Sequence, residues 1–321
     1  MQSCWVQSGK PHVVAGGSRS QPRAKACDGT GEAQDAVRSV KPHLIHSIFH
    51  PTDFSAGDVP ALNHAVRIAL AEHCRLEVMH VVVPGLEEDQ GDGFPGIREL
   101  VQRWEAHAAT ATAPGRGMKA VKSIKVGRHP VEELAAHVER DAPDLVVLAT
   151  HQRHSWLLPP PMASKAAGIA RSSPNLTLFV PRSTEGFVEP VSGAIRIRRV
   201  LVPVASEIPA QVAIDSVAAM VRSLGCDAVH WVGLTVGSQA EANPAVLPSG
   251  EGWTAEWIRR SGSVESAIVG AANELAVDLV VMTTRGGTGF LGSLRATTVE
   301  RVLETCPCPL LSVNQSTLAA G

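Results

Sequence analysis

The chain has 321 residues, of which 44% are hydrophobic and 19% are charged, and its formal net charge is −2. A charge this close to zero lacks the basic footprint of nucleic-acid-binding proteins, and no apolar run reaches the ~18 residues that a membrane-spanning helix needs. The opening MQSCWVQSGK has no apolar core of the kind found in a secretory signal, so we expect a cytoplasmic protein.

Residues 1–43 differ in composition from the rest of the chain. They are rich in Gly, Ser, Gln and basic residues, and their short apolar runs follow neither the helical nor the strand period. Such a segment buries too little apolar surface to offset the entropy lost on ordering. We therefore predict a disordered N-terminal extension.

From residue 44 onward, apolar runs typical of buried strands alternate with segments of helical period. Strands are predicted at 44–50, 76–83, 121–126, 144–150 and 176–180, and helices at 62–70, 97–109, 131–138 and 164–171. Strands that alternate with crossover helices build a mostly parallel sheet with helices on both faces. The pattern therefore predicts an α/β fold.

The same series then returns in the second half of the chain. Ile197–Pro203 repeats Ile45–Pro51 at an offset of 152 residues, and Asp278–Thr284 repeats Asp144–Thr150 at an offset of 134 residues. The second copy is thus 18 residues shorter between its first and fourth strands. The loss falls on the second helix, because Ala240–Trp253 is rich in Pro and Gly and has no period.

These repeats predict two tandem five-stranded parallel-sheet α/β domains, over residues 44–182 and 197–315. The segment 183–196 between them contains the Pro, Gly and Ser residues typical of a linker. We expect the two domains to superpose, with a shortened second helix in the second domain.

Gly287–Gly292 matches the GxGxxG pattern of dinucleotide-binding loops letter for letter. That fingerprint follows the first strand of its unit, and an acid follows it about 20 residues later. Here the match follows the fourth strand of the second copy, and Ser312 stands about twenty residues further on. We therefore reject a dinucleotide site at this position.

Four stretches give the chain a resemblance to a known family. They are His50–Ser55 at the end of the first strand, Val126–Pro130 before the third helix, Pro143–Leu148 entering the fourth strand, and Thr298–Leu303 leading to Cys306–Pro309. With them, the chain from residue 44 to about 315 resembles a tandem member of the universal stress protein family. The resemblance implies a stress-response role and an adenine nucleotide α-hydrolase-like fold. It also implies that the last strands of the two copies pair as an internal pseudo-dimer, and it leaves a homodimer of chains open.

Some members of this family bind ATP through a loop of the form G-x2-G-x9-G-(S/T) after the fourth strand, with an Asp after the first strand near the nucleoside. Glycines let backbone N–H groups approach phosphate, and the start of the following helix favours anions. The resemblance therefore implies ATP as a ligand. The candidate residues are Thr52, Asp53 and Ser164 in the first copy, and Gly286, Gly287, Gly289, Thr297 and Thr298 in the second.

Both copies depart from the family's pattern. In the second copy, Thr283 and Ala296 stand at two of the glycine positions, and Ala205 stands where the acid is expected. The first copy keeps Asp53 but has Gln152 at a glycine position of its loop. Two hypotheses therefore stay open: a protein that binds an adenine nucleotide weakly as a sensor, and a nucleotide-free interaction or dimerisation module.

Simpler roles also account for several of these residues. Thr297–Glu300 has the T-x-x-E pattern of a helix capping box, Asp53 suits a turn, and the glycines suit a strand-to-helix connection. An enzymatic hypothesis on the same architecture has no nucleophile–base pattern and no Walker loop to support it, so no enzyme is predicted. Cys306–Cys308 is interpreted as packing, and His151–His154 lacks a third ligand, so no metal site is predicted.

Overall fold

The described residues form ten strands, and those of the first half lie where the sequence predicts them. The structure, a computed structural model, describes residues 45–85, 94–107, 118–150, 176–205, 210–237, 245–284 and 298–314. The strands of the first half are β1 (Ser47–Pro51), β2 (Arg75–Val82), β3 (Lys119–Val126), β4 (Leu145–Thr150) and β5 (Leu176–Pro181). Those of the second half are β6 (Arg199–Pro203), β7 (His230–Val236), β8 (Thr254–Arg260), β9 (Leu279–Thr284) and β10 (Leu310–Asn314).

Six α-helices lie between these strands within the described residues. They are α1 (Val59–Glu72), α2 (Ile97–His107), α3 (Pro130–Asp141), α4 (Gln211–Ser223), α5 (Val264–Glu274) and α6 (Thr298–Leu303). A single 3-10 turn, Ala56–Asp58, leads into α1. The helix predicted at 164–171 and the N-terminal extension 1–43 lie outside the described residues. Among the helices described, none combines the length and the apolar character needed to cross a membrane.

All ten strands belong to one sheet with the order β3-β2-β1-β4-β5-β10-β9-β6-β7-β8. Each half has the same internal order, and all its neighbouring strands are parallel. The halves join through β5 and β10, which are antiparallel, with Leu178 opposite Leu311. The α/β fold of two parallel five-stranded units is therefore confirmed, and the pairing of last strands that the resemblance implies is present. The exact domain bounds 44–182 and 197–315 stay a prediction.

Helices cover the two faces of the sheet and create two apolar cores. One core contains buried residues of α1, α2 and α4, and the other contains buried residues of α3, α5 and α6. Both cores run across β4, β5, β9 and β10, so apolar burial is continuous across the junction between the halves. Such non-directional burial is the main favourable term in folding, and it makes the two halves one packed body.

A repeated aspartate holds the start of the first strand in each half. Asp144 Oδ2 accepts the backbone N–H groups of residues 46–47, both at 3.0 Å. In the same way, Asp278 Oδ2 accepts those of residues 198–199 at 2.7 and 2.8 Å. The aspartate that precedes each apolar fourth strand in the sequence thus ties that strand to its neighbour.

The segment 183–196, predicted as a linker, is part of the core. Phe187 and Val188 are buried, and Val188 forms an antiparallel bridge with Ile195. The Trp104 Nε1–H group donates a hydrogen bond of 3.1 Å to the carbonyl of Pro190. The composition of this segment suggested a spacer, but its two fully buried apolar residues hold it against the first half.

The two halves differ between their second and third strands. The first half has α2 there, whereas residues 245–253 between β7 and β8 are not helical. Trp253 covers this side of the second half: its ring lies 5.5 Å from that of Trp231, and its Nε1–H donates to the Cys226 carbonyl at 2.8 Å. Residues 245–253, the described part of Ala240–Trp253, therefore agree with the predicted shortening of the second helix.

The sheet is less covered at its edges than the sequence suggested. In β3, Val121, Ile124 and Val126 are all exposed, and most of β8 is exposed as well. The prediction of helices on both faces is therefore right for the central strands and wrong for these edge strands. The described helices pack on inner strands instead, with α1 on β1, β2, β4 and β5 and α3 on β2.

Candidate functional site

Each half of the sheet contains a topological switch point. In the first half, β1 lies between β2 and β4, so the connections leaving β1 and β4 run to opposite sides. In the second half, β6 lies between β7 and β9 in the same manner. Open α/β sheets bind ligands at the carboxyl ends of strands at such points. The residues that follow β1 and β6 are therefore the candidate site of each half.

Thr52 begins the turn after β1 and is buried. Its backbone N–H donates to the carbonyl of Met79 at 2.9 Å, which extends the pairing of β1 with β2. Its hydroxyl donates to Asp58 Oδ2 at 3.0 Å and accepts the backbone N–H of Phe54 at 2.9 Å. Phe54 has a φ of 58°, a left-handed conformation that ordinary residues rarely adopt. The turn is thus held in an unusual conformation by the Thr52 hydroxyl group and by Asp58, the residue that precedes α1.

Arg182, directly after β5, joins the two acidic residues of this turn. Its Nη2 atom lies 2.8 Å from Asp53 Oδ2 and 2.5 Å from Asp58 Oδ1, and its Nη1 atom donates to Ser55 Oγ at 3.1 Å. The side chain of Asp58 is 3% exposed, whereas that of Asp53 is 53% exposed. The guanidinium group of Arg182 therefore binds both a buried carboxyl group, that of Asp58, and a solvent-facing one, that of Asp53.

The two carboxyl groups differ in protonation behaviour because they differ in burial. Partial burial acts to raise the pKa of Asp53, but hydrogen bonds from Arg182 and Ser55 outweigh it and hold that pKa well below its usual range. At Asp58, burial is the largest effect and raises the pKa, against the neighbouring positive charge of Arg182. Asp53 is therefore the carboxylate that this turn presents to solvent in ionised form.

Two buried histidines lie beneath the turn. His80 Nδ1 is 2.8 Å from the Thr52 carbonyl, and His50 Nδ1 is 2.9 Å from the Val147 carbonyl, so Nδ1 is the donor in both rings. Burial lowers the pKa of His50, and its Nε2 atom has no hydrogen-bond partner among the described residues. A neutral His50 contributes no positive charge that would attract phosphate.

The matching turn of the second half has lost these polar groups. Val204, Ala205 and Ala210 stand at the positions of Thr52, Asp53 and Asp58, at the same offset of 152 residues. At the end of β9, Thr283 Oγ1 is buried and lacks a hydrogen-bond partner among the described residues. At the described positions of this edge, the second half thus has hydroxyl groups on β9, whereas the first half has charged groups after β1.

The structure places only part of the predicted site. It brings Thr52 and Asp53 together at the end of β1, and it places Thr298 in the other half, as the first residue of α6. Ser164, Gly286, Gly287, Gly289 and Thr297 lie outside the described residues. Sequence analysis missed Asp58 and Arg182, although an acid just before an apolar helix is a recognisable helix-start signal. For Arg182 the sequence holds no comparable signal.

The comparisons with known proteins agree with this architecture. The model of the universal stress protein family matches residues 45–181 and 237–314, which is more than half of the chain. The chain therefore belongs to the universal stress protein family. No curated protein matches the chain.

Solved structures show the same fold over nearly the whole chain. A universal stress protein from Archaeoglobus fulgidus DSM 4304 is 16% identical, with a TM-score of 0.55, over 84% of this chain and 98% of that chain. A functionally unknown protein from Pseudomonas aeruginosa PAO1 is also 16% identical, with a TM-score of 0.55, over 86% of this chain and 95% of that chain. At such identities the likeness concerns the fold alone.

Proposed function

We propose that this universal stress protein acts in the stress response as a sensor that binds an adenine nucleotide weakly through the turn after β1. The observation that carries the proposal is Asp53, an ionised carboxylate that is 53% exposed and fixed at the switch point. In α/β nucleotide sites, an acid at the carboxyl ends of the strands accepts the ribose hydroxyls. Asp53 has the charge, the exposure and the location for this role.

The charge around Asp53 favours the nucleoside part over the phosphates. Asp53 and Asp58 are both paired with Arg182, so this guanidinium group is already neutralised, and the pKa of His50 is lowered by burial. A phosphate group placed here would meet carboxylates, so the phosphates must extend toward the loop that follows β4. Since the second half has Ala205 in place of the acid, the nucleoside contact belongs to the first half.

Nucleotide binding is tested by its effect on thermal stability. A ligand that binds only the folded state stabilises it by about 2.7 kcal/mol at a hundred times its dissociation constant. We expect millimolar Mg-ATP to raise the melting temperature of the wild type, and Asp53→Asn to remove most of that increase. The matched control is Asp215→Asn, an exposed acid on α4, which should respond to Mg-ATP as the wild type does.

A second candidate function is a nucleotide-free interaction module, and the contact between Arg182 and Asp53 favours it. This contact already occupies one oxygen of the carboxylate, at 2.8 Å. If the purified, denatured protein shows no nucleotide absorbance at 260 nm and Mg-ATP produces no thermal shift, the nucleotide proposal is wrong. If Mg-ATP does raise the melting temperature, Gly286→Val tests the second half separately, since a loss of binding in this variant would locate the phosphates in the loop after β9. The homodimer and the cytoplasmic location stay predictions.

A further inference from the structure

A second polar cluster lies at the opposite edge of the first half, near the amino ends of β1 and β2. A small pocket opens there between these strands and α3, and its lining includes Ser47, Phe49, Arg75, Glu77, His137 and Asp141. Glu77, His137 and Asp141 form what is called here the α3 triad. One ligand atom from each of them lies within 4.8 Å of the others.

The two distances from His137 to the carboxylates of the α3 triad match those between ligands of one metal ion. His137 Nε2 lies 3.6 Å from Glu77 Oε1 and 3.4 Å from Asp141 Oδ2. Good hydrogen bonds between nitrogen and oxygen are shorter, about 2.7–3.2 Å. Two ligands of a tetrahedral ion with bonds of about 2.1 Å are separated by about 3.4 Å. The spacing therefore suits an ion between these atoms better than direct hydrogen bonds.

Neighbouring side chains hold both carboxylates in this orientation. Arg75 binds Glu77 Oε2 at 3.0 Å, and Ser123 Oγ donates to Oε1 at 3.1 Å. Arg140 Nε donates to Asp141 Oδ1 at 2.7 Å. Each carboxylate thus has one oxygen bound by an arginine, and its other oxygen faces His137. Outer contacts of this kind orient the ligands of metal sites and tune their affinity.

The imidazole of His137 is buried and fixed. It is 5% exposed, and its ring centroid lies 4.7 Å from that of Phe49. Arg140 Nη2 lies 2.7 Å from His137 Nδ1. Because the guanidinium group can only donate, Nδ1 accepts this hydrogen bond and the ring proton is on Nε2. An ion bound at Nε2 would move that proton to Nδ1 and displace the guanidinium group. The Arg140 side chain is 61% exposed, so it can move into solvent when the ion displaces it.

The second half shows that packing does not require the triad. By strand register and helix offset, Val232, Ala271 and Leu275 stand where Glu77, His137 and Asp141 stand in the first half. All three belong to or pack against the second apolar core. Buried polar groups are costly unless they are paired, so a fold that is complete with apolar residues gains nothing from the triad alone.

We propose that Glu77, His137 and Asp141 bind a divalent transition-metal ion of the zinc type, with a fourth ligand from solvent. Carboxylate and imidazole are ligands that such ions accept, and three protein ligands leave one position open. Asp141 is 41% exposed, which gives the ion a path from solvent. The bound ion ties β2 to α3, and Arg140 competes with it for His137.

The test is a titration of the full-length, tag-free protein with Zn²⁺ and with Co²⁺. We expect one ion per chain, a higher melting temperature with Zn²⁺, and the intense visible absorption of four-coordinate Co²⁺. Glu77→Gln and Asp141→Asn should each weaken binding at least about tenfold, since each removes a charged ligand.

Matched controls locate the ion and allow the proposal to fail. Glu132→Gln, an exposed acid on the same helix, and the double change of His151 and His154 to Gln should bind as the wild type does. Undiminished binding in Glu77→Gln and Asp141→Asn would overturn the proposal, as would loss of binding in the double histidine variant alone. Absence of any Co²⁺ band or Zn²⁺-induced thermal shift would also overturn it and leave the triad as an ion-pair network.

Discussion

The turn after β1 and the turn after β6 occupy equivalent places in the two halves but differ in chemistry. The first contains Thr52, Asp53 and Asp58, with Asp58 joined to Arg182. The second contains Val204 and Ala205, with a buried Ala210 entering α4. Since both halves form the same strand order, the fold does not depend on the charged turn. The charges of the first half therefore serve something local to that turn.

The largest expected effect comes from breaking the buried ion pair of the first half. Arg182→Met leaves the Asp58 carboxyl group, which is 3% exposed, without its guanidinium partner. Removing one partner of a buried pair leaves an uncompensated charge, so we expect a loss of about 4 kcal/mol in the free energy of unfolding. Urea denaturation of the variant and the wild type measures it.

An exposed ion pair of the second half gives the contrast. Arg260 binds Glu274 at 2.9 Å, with side chains 35% and 62% exposed, so Arg260→Met should cost less than about 1 kcal/mol. Adding Asp58→Asn to Arg182→Met should restore part of the stability, because the buried charge is then gone. Equal losses in the two arginine variants would show that burial of Asp58 is not what matters.

The second expected effect is a pH dependence that comes from the first half. Burial lowers the pKa of His64 from 6.5 to about 4, its Nδ1 lies 2.6 Å from the Pro60 carbonyl, and its Nε2 accepts the backbone N–H of Phe187 at 3.0 Å. The equivalent residue of the second half is Ser216, which donates to the Val212 carbonyl and does not titrate. The neutral ring is stabilising above pH 6.5, and this stability is lost as the pH falls toward 4.

The loss attributable to His64 over that interval is about 3 kcal/mol, at 1.36 kcal/mol for each pKa unit. The free energy of unfolding, measured at a series of pH values, should therefore depend less steeply on pH in His64→Ser. This variant has the residue type that the second half has at the equivalent position. Part of the slope should remain, since burial also lowers the pKa of His50. An unchanged dependence on pH in the variant would mean that His64 does not cause the loss of stability at acid pH.

The smallest expected effect concerns the ends of α1 and α4. His73 has a φ of 52°, whereas the equivalent Gly225 has a φ of 78°. Left-handed conformations are costly for residues with a Cβ and free for glycine, so His73→Gly should stabilise the protein by about 1 kcal/mol. The reverse change, Gly225→His, should destabilise it by a similar amount, measured by thermal denaturation. Losses of stability in both variants would show that side-chain contacts of His73 outweigh its backbone strain.

The fold was predictable because its signals are local and occur twice. The apolar strand after Asp144 and the one after Asp278 share a motif, and the matching offsets fix the order of the elements. The composition of the segment 183–196 was misleading, because Phe187 and Val188 are too few to show a period and yet are buried. The lack of cover on β3 had a signal in the sequence, because its three lysines are interspersed among apolar residues, as is typical of an edge strand and unlike the continuous apolar runs of β4 and β9.

The candidate site was predictable only where a residue directly follows a strand. Thr52 and Asp53 met that condition, and the family resemblance pointed to them. Arg182 is 129 residues from Asp53, and only the adjacency of β5 and β4 in one sheet brings it to the turn. In the α3 triad, His137 and Asp141 stand one helical turn apart in the sequence, but Glu77 joins them through the packing of α3 on β2.

The alternation of strands and helices, their duplication, and a shortened second helix in the second copy could all be predicted from the sequence alone. Those features follow from hydrophobic periodicity, which is a property of neighbouring residues. The family resemblance implied the pairing of β5 with β10, which the folded sheet contains, but only the folded structure shows that Arg182 joins Asp53 to Asp58. Strand order and ion pairing depend on residues that are far apart in the chain, and only the folded sheet brings their charges and backbone groups within contact distance.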